Sequence, residues 1–137
     1  MAGPSRRPDD PAREQPGGTL KIGSSHSVDA PFMVLYDPDA VLELESLKGR
    51  AERKAVFTVI DKLRMLGPDL VPPHVKSLKG EPGLMELRPR QGRSAVRPLY
   101  RRVGDDFVIL AFSLKPDKAD FHAAVAAARK RSARYDR

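Results

Sequence analysis

Four side chains in the second half of the chain, Arg88, Arg97, Lys115 and His122, have the types that phosphate chemistry needs. An arginine fork meets two phosphate oxygens at once and stays charged, and a lysine adds a compact cation. Histidine contributes a group that titrates near neutral pH. A set of this kind suits chemistry at a phosphate ester, with cations for a charged phosphate and a group that can move a proton.

These residues matter only if the chain aims them. Residues 84–103, LMELRPRQGRSAVRPLYRRV, hold six arginines and one acid. A disordered basic tail has no reason to alternate, yet Met85 and Leu87 fall on one parity and Glu86 and Arg88 on the other. Gly92 supplies a turn, so residues 84–89 and 94–103 are expected to form an antiparallel pair. On the second strand Val96 and Tyr100 share the parity to be buried, which leaves Arg97 on the open face. Arg88 then lies beside it across the hairpin, and Lys115 arrives at the end of the next strand, so the three cations are expected on one concave surface. The alternatives are a salt bridge from Arg88 to Glu86 and a solvated strand end at Lys115. Tyr100 reads as core and His74, beside Pro73, as a loop residue.

The remaining elements follow from period and punctuation. Residues 1–28 are rich in Pro, Gly, Ser and mixed charge and are expected to form a disordered leader, with the folded domain over 29–137. Phe32 to Tyr36 reads as a strand that Pro38 ends. Val41, Leu42, Leu44 and Leu47 fit a short helix, and Ala55, Val56, Val59, Ile60, Leu63 and Leu66 a longer one that stops at Gly67-Pro68. DLVPPHVKSLKGEPG reads as a loop. FVILAFSL is apolar on both parities, the mark of a central strand covered on both faces. A last helix over Lys118 to Tyr135 buries Phe121, Ala124, Val125 and Ala128 and carries its cations in its final turns. The order is β-α-α-β-β-β-α, an α+β fold with a small, mostly antiparallel sheet packed on a helical hairpin and a C-terminal helix.

Composition narrows the partners. With 137 residues, 40% of them hydrophobic, one core is expected. The net charge of +7 favours a polyanion, nucleic acid before an acidic protein. Without cysteine there is no disulfide or thiolate chemistry, and three scattered histidines make neither a metal nor another cofactor an expectation. No apolar stretch approaches the roughly 20 residues needed to span a bilayer, so a cytoplasmic protein without a membrane partner is expected.

Four short motifs stand in order along this pattern: K-x-L-x-G at 76–80, G-L-x-E-L-R at 83–88, R-x-x-Y at 97–100 and F-x-x-K at 112–115. In order and spacing the chain resembles the RelE/HigB superfamily of toxins from type II toxin–antitoxin pairs, most closely the phage-derived Gp49-like branch of HigB-type toxins. The resemblance covers about residues 30–135. It implies a RelE/ParE-like fold and a ribosome-dependent mRNA endoribonuclease that inhibits translation and is held inactive by a cognate antitoxin. The alternatives are a gyrase-targeting relative of ParE type and a catalytically inactive binding protein. Arg88, Arg97, Lys115 and His122 are then the catalytic candidates. Lys76, Lys79, Arg93, Arg101, Arg129 and Arg131 are the candidates for binding mRNA and ribosomal RNA, by charge more than by chemistry. Two departures leave the acid and base open: Phe121-His122 stands where many members carry a tyrosine, and Glu86 where some use lysines.

Overall fold

The computed structural model describes residues 30–136. The leader expected over 1–28 lies outside the described residues. Strand β1 (Val34–Tyr36) runs into helix α1 (Pro38–Ser46), which starts where it should: the Asp37 carboxylate accepts the Asp39 N–H at 2.9 Å and Pro38 occupies the first turn. Helix α2 (Arg50–Leu66) follows after a short link and ends at Gly67, whose φ of +53° suits glycine. A side chain there would strike Phe32, for an added Cβ would come within 2.5 Å of its ring. The apolar stripe of α2, Val56, Val59, Ile60 and Leu63, is buried as its spacing predicts.

Four further strands complete one sheet. They are β2 (Val75–Ser77), β3 (Met85–Leu87), β4 (Arg97–Val103) and β5 (Asp106–Ser113), and the spatial order is β1-β5-β4-β3-β2. Among the described residues, only the β1–β5 pairing is parallel. Strand β2 corrects the loop expected there. It is three residues long with one buried apolar side chain, Val75, too little signal for a periodic reading. Its pairing sets Lys76 directly opposite Glu86.

Helix α3 (Lys118–Ser132) packs on the face of the sheet opposite the α1–α2 hairpin, giving two cores. Tyr36, Ile60, Tyr100 and Ile109 fill the hairpin side. Leu35, Leu99, Val108, Leu110 and Ala128 fill the α3 side. The face that carries Arg97, Leu99 and Arg101 is therefore not open, as parity alone suggested. Helix α3 covers its middle, Leu99, and leaves the two arginines at opposite ends. Among the described residues, no helix is long and apolar enough to cross a membrane.

One irregularity governs where β5 delivers its end. Leu99 pairs with Ala111 but Tyr100 pairs with Ile109, so Leu110 is an extra residue, a β-bulge. Beyond it the parity is reversed, which puts Ser113 opposite Arg97 on the α3 side. The bulge would strand backbone polar groups, and two side chains take them up. Arg131 Nη1 donates to the Leu110 carbonyl at 2.9 Å, and the Phe112 N–H donates to Glu43 Oε1 at 2.9 Å. Arg131 Nη2 and Glu43 Oε2 close the circuit at 2.8 Å. Burial works against the charge on Arg131, but the hydrogen bond and attraction of Glu43, helped by Asp39 and Asp37, hold its pKa above the ordinary value.

Arg131→Ala strips a half-sheltered carboxylate and a bulge carbonyl of their partner at once. It is expected to lower unfolding stability by about 1–3 kcal/mol in urea titration. Arg129→Ala, which removes an exposed pair with Glu81, should move the midpoint far less.

Candidate functional site

At the end of the sheet beyond α3, strands β3, β4 and β5 open onto a cleft of about 670 Å³. Arg88, Arg97 and Lys115 line it together, with Lys76, Arg93 and Lys118 as further cations. The three catalytic candidates thus share one concavity, each brought by a different element: the residue after β3, the first residue of β4 and the loop after β5.

The arginines are organised by the one acid of their stretch. Glu86 is buried, and its Oε2 lies 3.1 Å from Arg97 Nε and 3.5 Å from Arg88 Nη1. Arg97 Nη2 donates to the Gly92 carbonyl at 2.9 Å, while its Nη1 is buried and has no hydrogen-bond partner among the described residues. Such a buried donor left unmet costs about 1–3 kcal/mol. Burial lowers the pKa of Arg97; Glu86 opposes that and the like charge of Arg88 adds to it, with a net value below the ordinary one. Gly92, at φ +95°, lets the turn close over Arg88, since an added Cβ would sit 2.6 Å from Arg88 Nη2. Arg90 and Gln91, just before it, hold φ of +55° and +58° although neither is glycine. This strain costs on the order of 1–2 kcal/mol per residue.

The Lys115 side of the cleft is fixed by Asp120 in the first turn of α3. Its Oδ2 accepts the Ser113 hydroxyl at 2.9 Å, the Leu114 N–H at 2.9 Å and the Lys115 N–H at 3.1 Å. Burial pushes the Asp120 carboxyl up, but these hydrogen bonds and the Lys115 charge outweigh it and hold its pKa below the usual range.

A second groove, of about 380 Å³, adjoins the first along Lys76, Glu86 and Phe121. His122, Lys79 and Arg129 line this groove and not the cleft of the arginines. Arg129 is bidentate to Glu81 there. Two of the cations picked from sequence lie elsewhere and hold the fold. Arg101 Nη1 binds the Ser132 hydroxyl at 2.7 Å and Asp136 at 2.8 Å, tying β4 to the end of α3. Arg131 serves the bulge. Their guanidinium groups are engaged by partners within the protein in this structure. Glu86, in turn, entered the sequence reading only as an ion-pair alternative and a departure; its lone acidic charge amid arginines was the signal that it organises them. Among the described residues, no three His, Asp or Glu side chains are grouped to hold a metal.

A five-stranded mixed sheet between a helical hairpin and a third helix, with a basic cleft at one end, is a RelE-like architecture. It aligns with the free-state structure of an arginine-to-alanine double mutant of E. coli toxin RelE at a TM-score of 0.51 and 14% identity, over 69% of this chain and 95% of that one. Residues 43–132 match the family described as phage derived protein Gp49-like (DUF891), and the chain belongs to that family. A search of the curated proteins gave no match.

Asp120 has a depressed pKa in the folded state, so its contribution is complete above the unfolded value and fades as pH falls through the folded one. Asp120→Asn should therefore lower Tm at neutral pH, and the gap from wild type should close below about pH 4. A gap that persists in acid would mean that the carboxylate charge is not what anchors this loop.

Proposed function

We propose that this protein is the toxin of a type II toxin–antitoxin pair and acts as a ribosome-dependent, metal-independent mRNA endoribonuclease. The observation that carries the reading is the convergence of Arg88, Arg97 and Lys115 on one cleft, with a guanidinium donor of Arg97 unmet. Membership of the Gp49-like family and the RelE-like fold support it.

In this reading the scissile phosphate enters the cleft and its oxygens take over guanidinium hydrogens that Glu86 now holds. The released carboxylate accepts the 2′-hydroxyl proton as the O2′–P bond forms. The arginines and Lys115 hold the charge of the five-coordinate phosphate. The P–O5′ bond then breaks, a proton passes to the 5′ oxygen, and the products carry a 2′,3′-cyclic phosphate and a 5′-hydroxyl. The 5′ oxygen takes that proton from water, because His122 lines the adjoining groove and not this cleft. Lys76, Lys79 and Arg93 guide the RNA and ribosomal RNA by charge, and the protein works in the cytoplasm. A second reading, a binding protein without chemistry, is favoured by Phe121 at the cleft where tyrosine is frequent in the resembling toxins.

The test is to programme isolated ribosomes with mRNA, add purified protein and map transcript ends. Arg97→Ala is expected to slow cutting by about 10²- to 10³-fold while cooperative unfolding is retained. Glu86→Gln keeps the shape but not the base and should slow cutting by about 10²- to 10⁴-fold. Cutting at the wild-type rate by the Arg97 variant sinks the proposed site. Growth arrest that is relieved by the neighbouring reading frame but leaves transcripts whole selects the second reading.

A further inference from the structure

A third concavity, about 330 Å³, lies on the other side of the arginine turn, between α2 and residues 88–93. Lys54, Thr58 and Lys62 recur at helical spacing along its α2 wall, over a floor that includes Ala55 and Val59. Arg90, Gln91 and Arg93 form the opposite wall, and Arg88 closes the end. No carboxylate lines it, and among the described residues no ion pair engages Lys54 or Lys62. Glu52 stands outside the lining and pairs with Arg90 at 3.8 Å.

Two observations connect this groove to the cleft. Arg88 and Arg93 line both, so cations run without a break from Lys115 and Arg97 around the turn to Lys62. The turn that joins them is also where the backbone is strained: Arg90 and Gln91 sit in the left-handed region, and that conformation lays Arg90 across α2, where its Nη2 reaches the Ala51 carbonyl at 3.5 Å. Strain kept at a ridge between two basic concavities fits a surface shaped to a ligand.

We propose that this groove is a second subsite for single-stranded RNA, binding backbone phosphates adjacent to the nucleotide in the cleft. Cations on both walls meet those phosphates. The choice of RNA as occupant rests on the nuclease reading. An acidic peptide is the competing occupant; the continuity of the groove with the phosphate cleft favours a ligand whose charges repeat along a strand.

The experiment measures binding to the full chain of 2′-fluoro RNA, which cannot be cut through its 2′ position. The probes are a dinucleotide and a mixed-sequence strand of about a dozen nucleotides. Wild type should prefer the longer strand by about tenfold or more. Lys54→Ala combined with Lys62→Ala should abolish most of that preference and reduce the salt dependence of log K by about 1.4, two contacts at about 0.7 each. Dinucleotide binding should stay as it was, which also reports an intact cleft. Long-strand binding that ignores the double change overturns the subsite, as does an oligoglutamate peptide whose binding depends on the two lysines while RNA binding does not. Because no cleavage is read, a protein that shows the length effect but cuts nothing retains the subsite and loses only the nuclease reading.

Discussion

The clasp between Arg131 and Glu43 decides where the end of β5 goes. A bulge at Leu110 removes one residue from the ladder with β4, and such a defect persists only when its orphaned carbonyl and N–H find partners. Arg131, from α3, takes the carbonyl and Glu43, from α1, the N–H, so the pair also bolts the two helical layers across the sheet. Without the inversion, Phe112 would face α3 and Ser113 the hairpin core. With it, Ser113 reaches Asp120, and Lys115 leaves the strand into the cleft. The geometry of the cleft thus depends on an ion pair that does not line it.

The arginines of this chain divide by partner. Arg101, Arg129, Arg131 and Arg134 each meet a carboxylate from a distant part of the sequence, and Asp37, fully buried, takes both Arg134 and the Tyr135 hydroxyl. The end of α3 is therefore strongly basic in sequence yet largely neutralised in space. Several cations outside such pairs, Lys76, Lys115 and Arg93 with Lys54 and Lys62, line the two concavities that flank the hairpin turn.

Much of this was legible from the residues. Period two in 84–88 and 97–102 gave the hairpin, its parity separated Tyr100 from Arg97, and the doubly apolar β5 announced two cores. That parity extended to Lys115 only because the cleft tolerates more than one approach; the bulge itself has no glycine or proline to mark it. The edge strand around Lys76 was too short to show a period. The ion pairs of Arg101 and Arg131 were not legible for a general reason: a sequence displays charge, whereas pairing depends on acids 35 and 88 residues away that only folding brings near. His122 was placed at the right helix end, but one helical residue of rotation relative to Phe121 directs it into the neighbouring groove.

Glu86 has one more implication. Its Oε2 already pairs with Arg97 Nε and Arg88 Nη1, so on the proposed reading an arriving phosphate exchanges with a resident oxyanion at those two atoms. The net gain there is a small difference between two similar contacts, and retention of a ligand then depends on contacts made along a longer strand.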